Sequence, residues 1–220
     1  KANWNPALGL VEWRNKLADS GWGAPHWPKK WHGRDLPVGL VPVVDEEFDK
    51  VGAVGVAKMG IRTLAAATIL THGSDLHKER FLRRTLTGED VWCQLFSEPG
   101  SGSDLAGLTT RAVRDGDEWV VDGQKVWSSY AHLADIGQLM ARTDPDVPKH
   151  QGISMFMLPL DSPGVDRRPL RQMNYHSSFN EVFLSDARIP RDWVVGQVNQ
   201  GWTAAQATLA EKTAQAEKFR

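Results

Sequence analysis

The 220-residue chain has one cysteine, Cys93, two tyrosines and no apolar run of membrane-spanning length. A single thiol excludes an intramolecular disulfide framework, so a buried core must hold the fold, and a chain of this size without bridges suits a reducing compartment. The opening residues KANWNPALGLVEW lack the hydrophobic block of a signal peptide. With no membrane span either, the protein reads as cytoplasmic. Charge of one sign is also missing: the formal net charge is −1, which leaves no electrostatic drive toward nucleic acid or an anionic membrane. Basic runs such as Lys78-Glu79-Arg80 and Arg83-Arg84 are interrupted, as on the solvated face of a helix. The histidines show no metal-ligand spacing, with His26 and His32 separated across prolines and His72 and His77 flanking a Gly-Ser break. Cys93 sits in the apolar run VWCQLF and reads as a small core residue rather than a nucleophile.

The periodicity of the first third is helical. Asn5-Pro6 offers a cap and a first-turn proline, and Leu10, Trp13, Arg14 and Leu17 follow on one face until Gly21. Gly21 to Leu36 is too rich in Gly, Pro and Trp for a regular element and reads as a long, packed loop. Val41, Val44 and Phe48 share a second helical face, and Ile61, Leu64, Ala65, Thr68 and Ile69 a third, stopped by Gly73. A fourth helix is predicted from a Ser74 cap through Leu76, Phe81 and Leu82 to Gly88. After Gly88 the period changes. VWCQLF, LTTRAVRD, EWVVDGQKVW, IGQLMART, GISMFMLP and EVFLSDARIP are short β-rich runs, and Asp115-Gly116 is the clearest hairpin signal. Such a series predicts an antiparallel barrel or sandwich. From Trp202 the alanine-rich end returns to helix. The fold class is therefore α+β, with a helical domain over 1–88, a β domain over 89–200 and the start of a further helical domain over 201–220.

One loop stands out. Phe96 to Leu105, FSEPGSGSDL, gathers an acid-proline pair, glycines, hydroxyls and an aspartate after an apolar run. Gly100 and Gly102 would let the backbone turn its N–H groups toward one point, which suits an anion or a developing enolate. Taken alone, the stretch reads first as a surface turn, since such Gly/Ser/Pro/Asp clusters are usually loops without a ligand. A P-loop is not indicated, because no Gly-Lys-Ser/Thr follows.

The longer segment EDVWCQLFSEPGSGSDLAGLTTRAVRDGDEWVVDGQKVWSS resembles the acyl-CoA dehydrogenase family, whose hallmark is an S/T-E-P-G-x-G-S-D loop followed about thirty residues later by G-Q-K-x-W-x-T/S. PLRQM, FNEVFLSDARIP and HGSDLHKERFLRRTLTGE are similar to further segments of the family. The resemblance covers nearly the whole chain. It implies an N-terminal helical domain, a middle β-barrel domain and a C-terminal helical domain, with FAD against the barrel. By motif position, Gln94, Leu95, Phe96 and Ser97 would line the flavin ring, the Ser97 hydroxyl and backbone facing its pyrimidine edge. Gly102 and Ser103 would meet the pyrophosphate and the acyl-thioester end of the substrate. Trp127 would stack on the flavin, the Ser129 hydroxyl would reach N5, and Ser128 would contribute backbone. Glu98 and Asp104 would brace the loop through backbone hydrogen bonds.

The implied activity is α,β-desaturation of an acyl-CoA thioester, with electrons passed to an electron-transfer flavoprotein, in a homo- or hetero-oligomer. Two departures bear on the acyl group. Tyr130 stands where Gly or Asn-Gly is common, and His176-Ser177-Ser178 replaces a Gly-containing stretch. The family's catalytic glutamate lies in the C-terminal domain, where this chain ends, so no catalytic residue and no metal ligand is assigned. A non-catalytic flavin-binding partner subunit, and a flavin oxidase or monooxygenase on the same scaffold, are the alternative readings.

Overall fold

A computed structural model describes residues 9–55, 61–206 and 208–209. Four helices come first: α1 (Leu10–Ser20), α2 (Val41–Lys50), α3 (Ile61–His72) and α4 (Asp75–Thr87). Helix α1 begins after Gly9, so the Asn5-Pro6 cap lies outside the described residues. It ends as expected, on Gly21 at φ 73°, a left-handed position that costs glycine little. The Ser74 side chain accepts from His77 N and the His77 ring accepts from Ser74 N, a reciprocal cap for α4, and Gly88 closes it at φ 81°. The α4 basic residues are solvated but paired: Arg83 with Asp19, Arg84 with Glu89 and Asp90. The Gly21–Leu36 stretch is a packed loop carrying one short 3-10 turn, with Trp27 and Trp31 buried.

Eight strands follow: β1 (Trp92–Leu95), β2 (Arg111–Asp115), β3 (Glu118–Lys125), β4 (Ile136–Arg142), β5 (Ile153–Pro159), β6 (Val165–Leu170), β7 (Phe179–Pro190) and β8 (Val194–Val195). The sheet order is β6-β7-β3-β2-β4-β5-β8, with β1 also on β4. The predicted hairpin is present, with Asp115 paired to Glu118 around Gly116 at φ 60°. Pairing is antiparallel except at β4, where β1 and β2 both join in parallel, β1 at Trp92–Leu95 against Ile136–Leu139 and β2 at Arg111 against Arg142. The sheet is thus mixed where an all-antiparallel one was expected. The physical reason is the intervening Phe96–Thr110 loop, which brings the chain back to the edge it left.

The Trp119 and Phe156 rings are 5.3 Å apart, although β3 and β5 are separated by two strands, which in a flat sheet would hold them roughly 14 Å apart. The sheet is therefore curled. Its inner face buries Cys93, Leu95, Leu139, Phe156, Val182 and Ile189 in one cluster, while Trp92, Phe96, Ile136, Met140 and Met155 pack outward against Trp13, Ile69, Phe81 and Ala204 of the helices. Strands β4 and β5 are covered on both faces, which is why they read as nearly continuous apolar runs. Cys93 is free and wholly buried, and burial pushes its thiol up to about 12. That fits a core residue, since the thiolate is the reactive form.

Candidate functional site

The loop after β1 is fixed by charge buried beneath it. Glu98 is only 5% exposed. Its carboxylate accepts from Thr109 N at 2.7 Å, Thr109 Oγ1 at 2.8 Å and Thr110 N at 2.9 Å, and from Lys125 Nζ at 2.8 Å. Lys125 has no exposed surface and also donates to Phe96 O at 3.1 Å. Burial opposes ionisation of Glu98, but the Lys125 ammonium and the threonine donors outweigh it and hold the carboxyl at about 2. Burial likewise brings Lys125 down to about 8, against the pull of Glu98. A charge taken out of water is costly unless paired and hydrogen-bonded, and here both ends are. Glu98 thus braces the loop as expected, through backbone hydrogen bonds. Lys125, inside the second motif, is a partner that sequence reasoning missed.

The returning limb has its own brace. Arg142 Nε donates to Leu108 O at 3.1 Å and Arg142 Nη2 to Ala106 O at 2.7 Å. Asp104 is exposed and pairs with Lys149 at 2.8 Å, so it ties the loop tip to a side chain rather than to backbone. The tip itself is closed by reciprocal backbone bonds between Glu98 and Ser101. Gly100 and Gly102 are not at positive φ, and a Cβ at either would meet nothing within 4 Å. The expected use of glycine's conformational freedom to turn the backbone there is not observed, and the conformation is open to other residues. What the glycines leave is unobstructed approach to the exposed backbone at 102 and 103.

The second motif lies alongside the first, because Val126 N donates to Ser97 O at 2.9 Å. Trp127 then enters the left-handed region at φ 59°, as does Tyr130 at φ 56°, conformations that cost a residue with a Cβ roughly 1–2 kcal/mol. Asn180, fully buried on β7, offsets this. It exchanges backbone bonds with Ser128 at 3.1 Å, and its Nδ2 donates to Ser128 O at 2.9 Å. Tyr130 N donates to Ser178 O at 2.7 Å, and His132 Nδ1 lies 3.0 Å from Asn180 Oδ1. The bracket presents Trp127 outward at 63% exposure, edge-on to Phe179 with ring centroids 6.1 Å apart. A barrel-core role for Trp127 is thereby excluded.

The predicted residues fall into three groups. Ser97, Trp127 and Ser129 are partly or largely accessible around the junction of the two motifs, and Gly102 and Ser103 are accessible on the loop tip. Leu95 and Phe96 bury their side chains in opposite cores, so only their backbone could meet a ligand. Gln94 and Ser128 each carry a buried polar atom with no partner, Nε2 and Oγ respectively. An exposed flat indole at a junction with the accessible Ser97 and Ser129 can stack on a ring system with polar edges.

These features belong to a curled sheet domain docked on a helical one. Residues 5–89 match the acyl-CoA dehydrogenase N-terminal domain and residues 93–187 the acyl-CoA dehydrogenase middle domain, and the chain belongs to the acyl-CoA dehydrogenase family. It is 49% identical to acyl-CoA dehydrogenase FadE34 of Mycobacterium tuberculosis over 89% of this chain and 27% of that protein. Among solved structures it is similar to the Tcur3481-Tcur3483 steroid ACAD G363A variant, with TM-score 0.76 and 34% identity over 91% of this chain and 52% of that one. The ChsE4-ChsE5 complex from Mycobacterium tuberculosis gives TM-score 0.73 and 34% identity, over 91% and 51%. The chain spans about half or less of the length of these relatives. No described helix is long and apolar enough to cross a membrane.

Proposed function

We propose that the protein, at its full length, is an FAD-dependent acyl-CoA dehydrogenase that desaturates an acyl thioester between its α and β carbons. The observation that carries this reading is Trp127, an exposed indole held in a left-handed backbone by the Asn180 bracket and set beside the Ser97 loop. When bound, FAD would supply the hydride acceptor for the β-carbon. Trp127 would support the ring by stacking, Ser97 and the Ser128-Ser129 segment would meet its polar edge, and the Gly102-Ser103 backbone would face the pyrophosphate and the thioester. The unpartnered Ser128 Oγ fits a site whose polar atoms are completed by ligand.

The α-proton needs a base that is free to accept it. Glu98 is not such a group, since four donors saturate it and hold it ionised well below neutrality. Asp104 is engaged by Lys149. The base therefore comes from elsewhere in the protein, and the resemblance assigns a glutamate of the C-terminal domain. Electron-transfer flavoprotein is the proposed acceptor of the electrons. A neighbour named as a complex of two proteins supports an oligomer, homomeric or heteromeric.

The test is flavin retention. Purified full-length protein should carry FAD that is bleached anaerobically by an acyl-CoA. Trp127→Ala should weaken retention about tenfold, because a stacking partner contributes on the order of 0.5–1.5 kcal/mol beyond its buried area. Protein that binds no flavin, or a variant that retains it equally, would refute the reading.

A further inference from the structure

Strands β1 and β4 run parallel with Gln94 and Gln138 as register partners. Register partners project from the same face of a sheet, and here that is the face turned to the helices, shared by Trp92, Phe96, Ile136 and Met140. Gln138 is wholly buried. Its Nε2 donates to Thr68 Oγ1 of α3 at 3.1 Å and to Thr208 Oγ1 of the C-terminal helical segment at 3.2 Å, and the two hydroxyls lie 2.5 Å apart. With the amide nitrogen committed to the threonines and to Met155 Sδ at 3.3 Å, the Gln138 carbonyl oxygen has no partner among the described residues. Next to it, Gln94 Nε2 is buried and also unpartnered. An orphan donor and an orphan acceptor therefore belong to register partners on adjacent strands, on a face that is apolar apart from these two glutamines and the two threonines. Buried polar groups are ordinarily satisfied, and native exceptions mark sites completed by something else.

We propose that Gln94 and Gln138 form a polar subsite for a hydroxyl group carried by the acyl portion of the substrate, at a position distal to the thioester. A hydroxyl oxygen accepts from Gln94 Nε2 while its hydrogen is donated to Gln138 Oε1, and an unadorned alkyl chain can do neither. The location suits this use. Gln94 is partly accessible, and strand β1 leads from it to Ser97, three residues and about 10 Å along an extended chain. The inference rests on the acyl-thioester reading above and narrows it to hydroxylated acyl groups.

The test measures dissociation constants by calorimetry for the full-length protein with matched acyl-CoA thioesters, linear and ring-bearing, each with and without a distal hydroxyl. Some hydroxylated member should bind at least about tenfold more tightly than its unsubstituted counterpart, since a site built to hydrogen-bond a hydroxyl rejects the analogue lacking it. Gln94→Leu leaves the Gln138–Thr68–Thr208 contacts intact and should bring that ratio to about one, and Gln138→Leu should do the same. Equal binding of every matched pair by the unaltered protein would mean that the pair holds only water, and would overturn the subsite while leaving the thioester reading intact. An unchanged preference in Gln94→Leu would also overturn it. Failure of every thioester to bind would overturn both.

Discussion

Replacing Lys125 with methionine isolates the interaction that holds the two motifs together. The change keeps most of the side chain's volume and removes the ammonium, leaving the Glu98 carboxylate buried with only the threonine donors. Breaking a buried pair in this way costs about 3–5 kcal/mol. For a domain of this size that corresponds to a loss of roughly 10 °C in Tm. Thermal unfolding of the full-length protein would measure it. Adding Glu98→Gln to the methionine variant should recover part of the loss, because no uncompensated charge is then buried. A Tm change of under about 2 °C in the single variant would refute the reasoning.

Because the folded-state carboxyl is held below its ordinary value, the stabilisation from Glu98 is complete above about pH 4.5 and drains away as the pH falls through about 2. Denaturant titrations across that window should show stability falling in the unaltered protein and a shallower fall in Glu98→Gln. Gly123 sits at φ 153° at the irregularity in the β3–β7 ladder, where a Cβ would lie 2.7 Å from Thr110 Cα. Gly123→Ala should therefore cost about 2–3 kcal/mol by overpacking against backbone, read from the unfolding midpoint. Asn180→Ala removes the Nδ2 bond to Ser128 O and the contact with His132. It should cost about 1–3 kcal/mol and speed hydrogen exchange at Ser128 and Tyr130.

The local punctuation was legible before any coordinates. Gly21, Ser74, Gly88 and Asp115-Gly116 act where the sequence places them, because each acts on backbone within a few residues of itself. Two strands escaped notice for related reasons. The β6 run VDRRPL carries charges and a proline and pairs only with β7, so it shows no apolar alternation, and β8 is two residues long. The motif residues were found through their spacing, but their anchors were not. Lys125 lies in a motif and was passed over because lysine is rarely fully buried. Arg142 and Asn180 sit in ordinary strand runs, and nothing local marks a side chain that bonds across the fold. The parallel pairing of β1 was illegible too, since strand direction is decided by where the next loop returns.

That return bears on how the cradle meets a ligand. Strands β1 and β2 lie end to end along a single edge of β4, leaving it at Leu95 opposite Leu139 and rejoining at Arg111 opposite Arg142. The Phe96–Thr110 segment is thus a closed excursion whose two feet stand about 10 Å apart on one strand. Its closure is settled when the sheet forms, and Glu98 and Arg142 then fasten both limbs from below. A ligand bound at the exposed tip, as proposed above, would have little chain to immobilise, so more of its contact energy would be left to appear as affinity. In this family member the loop is preorganised by its own sheet.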